Sequence, residues 1–331
     1  MKKVLFVILA VLMFSGAVYA QGKVSLMVAT GGLGGVYYYY GSSVAEIIAK
    51  FAGYEATAIQ TAASVDNIML LQKREDPKSN LFYLGTILPD SAFLAFMGEH
   101  EKFKETPAKE LRIMWAMYPN FLHIVTKQGS GIQKVPDLKG KKVSTGAPGS
   151  GTEVEAFMVL ESAGLKVSDL AKQERLGAAE SAEALASGTI DAYFWSGGLP
   201  TASVTELATT LSRKGAKLDF VALPVDDPVV QNINKKFPGV CEPGVIGKQV
   251  YNTEKDVPTL AFWNLFMATE RLPEEIAYKI TKAVFENLAQ LHSAVKPSKD
   301  TTLESAVKFV KGAIPYHPGA LKYFKEVGAL K

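Results

Sequence analysis

The chain has 331 residues, 48% hydrophobic and 21% charged, with a formal net charge of +3. So even a balance argues against a nucleic-acid binder and leaves no basic patch for a membrane surface. A single cysteine, Cys241, excludes an internal disulfide, and the length exceeds the usual reach of one hydrophobic core, which predicts two lobes.

Met1-Lys2-Lys3, an apolar run over 4–13 and Val18-x-Ala20 before Gln21 read as a secretory signal peptide cleaved after Ala20. The run is short for a membrane span; an uncleaved N-terminal anchor is the alternative. Removal of Lys2 and Lys3 with the leader takes the formal charge from +3 to +1.

Residues 24–29 predict a strand that enters Thr30-Gly-Gly-Leu-Gly-Gly-Val-Tyr37, with a helix over 38–52. A dinucleotide fingerprint requires a third glycine where Tyr37 stands, so this turn does not fit that cofactor. Tyr37 to Tyr40 cannot all share one helical face, so one or two are expected at a cleft. A strand over 54–60, the turn Thr61-Ala-Ala-Ser-Val-Asp-Asn67 and a helix over 68–72 give a second such junction. A strand over 80–84 and a helix over 90–97 follow. Residues 111–117 and 121–126 predict two strands separated by Tyr118-Pro119, where a crossing between lobes is expected.

Ser144-Thr-Gly-Ala-Pro-Gly-Ser-Gly-Thr-Glu153 then leads from a strand into a helix. Ser150 and Glu153 form a capping-box pattern that starts the helix near Gly151. A glycine-lined helix start points backbone N–H groups outward and favours an anion. Thr152 and Glu153 stand where a phosphate-binding loop needs Lys and Ser/Thr, so a carboxylate fits better than a triphosphate. A capped helix without any ligand is equally consistent with this stretch alone. A helix over 181–187 and a strand over 189–194 reach a fourth junction, Trp195-Ser-Gly-Gly-Leu-Pro-Thr201, before a helix over 202–211. Further elements are a strand over 220–223, a helix over 229–237 and a Gly/Pro-rich loop over 237–247. A strand over 260–268 comes next, then helices over 274–292 and 303–311 and a last helix after residue 320.

Alternating strands and helices predict an α/β fold with largely parallel sheets, and ligands in such sheets bind beyond the strand C-termini. Four polar junctions, three of them glycine-bearing, can therefore converge on one cleft. No catalyst assembles around it. The histidines His100, His123, His292 and His317 lack metal-ligand spacing, and neither Ser150 nor Ser196 sits in a nucleophile elbow. Cys241 stands beside Glu242, which disfavours a thiolate. Metals, cofactors and catalytic residues are not expected; binding is. A secreted enzyme on the same fold, with only Glu153 and Asp66 charged at the junctions, and a surface antigen or adhesion protein are the alternatives.

Ala29-Thr-Gly-Gly-Leu-Gly-Gly-Val-Tyr37, Thr61-Ala-Ala-Ser-Val-Asp-Asn67, Tyr118-Pro119 with His123, Asp137-Leu-Lys-Gly-Lys141 before Gly149-Ser-Gly-Thr-Glu153, and Tyr316-His-Pro-Gly-Ala320 occur here in this order. In these segments the chain resembles the extracytoplasmic solute receptors of TRAP transporters, TAXI family, over nearly its whole mature length. The resemblance implies a type II periplasmic-binding-protein fold, two α/β lobes closing on a ligand. Such receptors are periplasmic, usually monomeric, and deliver the ligand to an ion-coupled TRAP permease. Relatives take small acids such as glutamate and 2-oxoglutarate. Carried over, lobe 1 comprises 21–120 plus 224–331 and lobe 2 comprises 121–223, with hinges near 118–123 and 221–226. Thr30, Gly31, Gly32, Tyr37, Ser64, Val65 and Asn67 line the cleft from lobe 1, with Tyr118 near the crossing. Ser150, Gly151 and Thr152 bind a carboxylate from lobe 2, beside Trp195, Ser196, Gly197 and Gly198. Glutamate-binding relatives carry other residues at the Trp195 loop.

Overall fold

The protein is described by a computed structural model over residues 23–330; the expected leader lies outside them. The strands are β1 (Ser25–Ala29), β2 (Glu55–Ile59), β3 (Leu81–Ile87), β4 (Leu111–Lys127), β5 (Lys142–Ser144), β6 (Lys172–Glu174), β7 (Ala192–Gly197), β8 (Leu218–Phe220), β9 (Glu242–Ile246) and β10 (Val257–Thr269). They form one sheet in the order β2-β1-β3-β10-β4-β7-β5-β6, with β8 on β4 and β9 on β10.

That order contains two parallel halves. β1 runs parallel to β2 and β3, and β5 runs parallel to β6 and β7. Parallel neighbours need helical crossovers. Helices α1 (Val36–Ile47) and α2 (Ser64–Lys73) supply them in the first half, and α3 (Pro89–Met97) follows β3. In the second half α4 (Gly151–Ser162) and α5 (Ala178–Ser187) do so, followed by α6 (Ala202–Arg213) and α7 (Pro228–Lys236). β4 and β10, antiparallel to each other, pass through both halves and join them.

The apolar side chains separate accordingly. One core draws on residues from Leu26 to Tyr118 and again from Leu265 to Phe324. Two smaller cores hold, apart from Leu88, residues between Leu122 and Phe262. The chain therefore changes core within β4 and within β10.

The sequence reading breaks a strand at Tyr118-Pro119, but β4 runs through it. Pro119 lies opposite Trp263, and the β10 register shifts between Trp263 and Leu265. The irregular partner makes no demand for the N–H that proline lacks, so the strand continues. The 237–247 segment likewise forms β9 at a sheet edge, where Pro243 is tolerated opposite Leu260. The helix expected over 303–311 stops after Ala306, whose carbonyl accepts a hydrogen bond from the Tyr316 hydroxyl at 2.7 Å. The 274–292 helix is divided at Asn287. Among the described residues, no helix is long and apolar enough to cross a membrane.

Candidate functional site

The C-terminal ends of the parallel strands in both halves face one cavity. It encloses about 80 Å³, room for several water molecules or a compact ligand. Its wall is made by the helix starts. The first half contributes Gly35 and Val36 of α1, Ala63 and Ser64 of α2, and Leu88 before α3. The second contributes Ser150 and Gly151 of α4 and Gly177 and Ala178 of α5. Four of these five helices have no side-chain cap, their N-cap residues being Gly35, Ala63, Leu88 and Gly177. First-turn N–H groups have no partner within a helix, so the wall presents donors and the positive ends of five dipoles. No lysine, arginine, aspartate or glutamate lines it.

Local structure holds these starts in place. Ala63 sits at φ 84°, a backbone position that L residues rarely adopt. Its N–H donates to Thr61 Oγ1 at 3.0 Å, and its carbonyl accepts from Asn67 N at 2.8 Å. Asn67 is fully buried behind this turn. Its Nδ2 donates to the carbonyls of Thr30 (2.7 Å) and Thr86 (2.8 Å), and its Oδ1 accepts from Thr61 Oγ1 (2.6 Å). One amide therefore ties together the turns after β1 and β2 and the end of β3. On the other side Ser150 Oγ caps Glu153 N at 3.1 Å, as its pattern predicts. Glu153 is turned outward, where Arg175 grips it with Nε at 2.5 Å and Nη2 at 3.0 Å. The acidic residue that would repel an anion is thus neutralised outside the cavity. The Ser196 N–H donates to Thr152 Oγ1 at 3.2 Å, which leaves the Thr152 hydroxyl proton free to point elsewhere.

The halves touch directly around the cavity. The Asp66 N–H donates to the Gly149 carbonyl at 3.2 Å. Trp195 lies so near Gly35 that a Cβ there would meet its Cη2 at 3.1 Å. At the crossing, Asn264 Nδ2 donates to Tyr118 O (2.7 Å) and Asn120 Oδ1 (2.8 Å), while its Oδ1 accepts from the Tyr37 hydroxyl (2.5 Å).

Of the residues expected at the site, Gly31, Gly32, Tyr37, Ser64, Tyr118, Ser150, Gly151, Thr152, Trp195, Ser196 and Gly197 line the cavity. Thr30, Val65, Asn67 and Gly198 do not. Thr30 is buried with its hydroxyl on Ile59 O at 2.7 Å, Val65 joins the first core, and Asn67 is the staple just described. Gly198 packs between Pro297 and Tyr118. The sequence reading missed Leu176, Gly177 and Ala178, because β6 before them has three polar residues and no apolar pattern. It also missed Leu88 and Asn120, which carry no glycine signal.

His123, part of one motif above, is a core residue. Its Nδ1–H donates to Phe121 O at 2.7 Å, Nε2 accepts from the Tyr251 hydroxyl at 3.1 Å, and burial pushes its pKa down to about 4. Burial pushes the Cys241 thiol up to about 12, so it is no thiolate. His317 caps the last helix through the Gly319 N–H at 3.2 Å. Among the described residues no cluster of three or more His, Cys, Asp or Glu could hold a metal ion.

A family model described as the NMT1-like family matches residues 28–328. Among solved structures, the periplasmic binding protein BugD is similar at 14% identity and a TM-score of 0.54, covering 94% of this chain and 99% of that one. MatC from Rhodopseudomonas palustris, with bound malate, is similar at 13% identity and a TM-score of 0.53, covering 83% and 88%. A second R. palustris protein, with adipate, is similar at 16% identity and 0.50, covering 94% of each chain. The chain shares their fold, that of two-lobed periplasmic binding proteins.

Proposed function

Because the chain belongs to the NMT1-like family, we propose that it is a periplasmic solute receptor, exported by its leader and cleaved after Ala20. It binds a small organic acid by lobe closure and delivers it, as a monomer, to a TRAP-type ion-coupled permease. The observation that carries this reading is a cavity walled by five helix starts without a charged side chain. Backbone donors and dipoles suit a carboxylate, and none of the five arginines is needed. Donors face inward from both halves, so a ligand with an acid group at each end would bridge them. A dicarboxylate such as glutamate or 2-oxoglutarate meets that requirement, and the malate and adipate in two proteins of the same fold are of the same chemical kind.

We assign lobe 1 to residues 23–118 and 265–330 and lobe 2 to 121–262, from the membership of the hydrophobic cores. This moves the second crossing from 221–226 into β10. Residues 229–262 go with lobe 2 because Val229, Ile233, Ile246 and Leu260 pack there.

Two measurements test the proposal. A thermal-shift screen of the mature protein against dicarboxylates, amino acids and their amides is expected to show stabilisation by diacids only. A ligand at 100 times its Kd stabilises by about 2.7 kcal/mol. No shift with any small molecule would favour an adhesion role, and turnover of a compound would favour an enzyme. With the responding acid in hand, Thr152→Ala is expected to weaken binding by about 1–2 kcal/mol, the worth of a hydrogen bond to a charged group. Unchanged calorimetric affinity in a folded variant would remove Thr152 from the site.

A further inference from the structure

Behind the cavity, α3 of one half packs against α4 of the other, and this contact buries two carboxyl groups. Asp90 is 3% exposed and Glu155 is 0% exposed. Glu155 Oε1 accepts a hydrogen bond from Ser196 Oγ at 3.0 Å, but Glu155 Oε2 and both oxygens of Asp90 have no partner. Of the nearby cations, Arg175 holds Glu153, and Lys236 holds Glu161 at 2.8 Å. Two unpaired carboxylates buried side by side cannot both be ionised at reasonable cost.

We propose that Asp90 and Glu155 form a proton-binding site between the lobes, so that closing the cleft takes up a proton from solution. The site rests on the reading that the two halves open and close. With the halves apart, water reaches the facing sides of α3 and α4 and both groups ionise in the ordinary range. With the halves together, burial raises Asp90 to about 7 and, with Asp90 beside it, holds Glu155 well above the usual carboxyl range. The sign follows. Raised pKa values in the closed state mean that its extra stability is complete below the ordinary carboxyl range. It is lost as pH rises through the closed-state values. Other titratable or charged groups around the pair are Tyr37 from α1, Glu99 after α3 and Cys241 after α7. His100, Glu101 and Lys102 face it from the turn after α3. His100 is lowered by burial and then by Lys102, so it stays neutral where the pair titrates.

The test needs no ligand, so it stands or falls apart from the acid-receptor assignment. Melting temperature and small-angle scattering of the ligand-free protein would be followed from pH 5 to 9. The wild type is expected to lose about 2 °C or more per pH unit as pH rises from 5 toward the closed-state pKa values and to expand over the same range. Glu155→Gln is expected to flatten both profiles and to melt higher than wild type at the alkaline end. Parallel profiles for wild type and variant would overturn the proposal. So would restoration of the alkaline melting temperature by sodium but not by choline at equal ionic strength, since the pair would then hold a metal cation. Should Glu155→Gln not fold, Asp90→Asn and the infrared band of a protonated carboxyl at neutral pH serve instead. Absence of that band would equally overturn it.

Discussion

Gly151→Ala is expected to weaken binding of the responding acid by about tenfold or more without lowering stability to denaturant. Gly151 is the first residue of α4, and its Cα faces lobe 1 across the cavity rim. A Cβ there would overlap Leu88 Cδ1 and lie 2.7 Å from Ser64 Oγ and 3.1 Å from Ser64 Cβ. Ser64 Oγ is already fixed as acceptor of the Leu88 N–H at 3.0 Å, so it has little room to give. Overpacking of this kind costs about 1–3 kcal/mol, and here that cost falls on the closed state alone. In the open state the same substitution favours the helix by up to about 1 kcal/mol. Calorimetry with the acid found by screening, beside urea unfolding of the free protein, separates the two terms. Unchanged affinity would mean that α4 does not approach Ser64 when ligand is held.

Asn264→Ala should cost more, and should cost it in folding. The side chain is fully buried at the irregular step in β10 and serves three partners: Tyr118 O, Asn120 Oδ1 and the Tyr37 hydroxyl. Truncation leaves all three buried and unserved, and each such loss is worth about 1–3 kcal/mol. Because the three share one site the losses are not additive; a total of about 3–5 kcal/mol is expected from the urea midpoint at constant m-value. Asn232→Ala is the control, since its single exposed bond to Ser162 O at 2.9 Å should be worth 1 kcal/mol at most. A loss at Asn264 no larger than at Asn232 would show that water replaces these bonds and that the crossing is loosely held.

These two residues mark where sequence reasoning succeeds and where it stops. Gly151 is found from its own neighbours: Ser150 and Glu153 announce a helix start, and glycines announce exposed N–H groups. Asn264 sits in an apolar strand with no local signal, and its role depends on Tyr37 and Tyr118, both far away in the chain. The same contrast separates Ser64 from Asn67. Both lie in one polar turn, yet one faces the cavity and the other faces the turn after β1 and the end of β3. Four successive tyrosines show it again: Tyr37 reaches the cavity and Asn264, Tyr40 is buried against Trp115 and Thr301, and Tyr39 is 49% exposed.

The sequence alone determined the α/β alternation, most helix starts and the four polar junctions, because periodicity, capping and turn chemistry are properties of adjacent residues. The tertiary structure decided which of those junctions share one cavity and that a fifth, Leu176 to Ala178, joins them. It also decided that Tyr118-Pro119 lies within a strand, and that Asp90 and Glu155 are buried together. Each of these depends on the packing of segments distant in the chain, and burial of a polar group has no local signature before the second surface arrives.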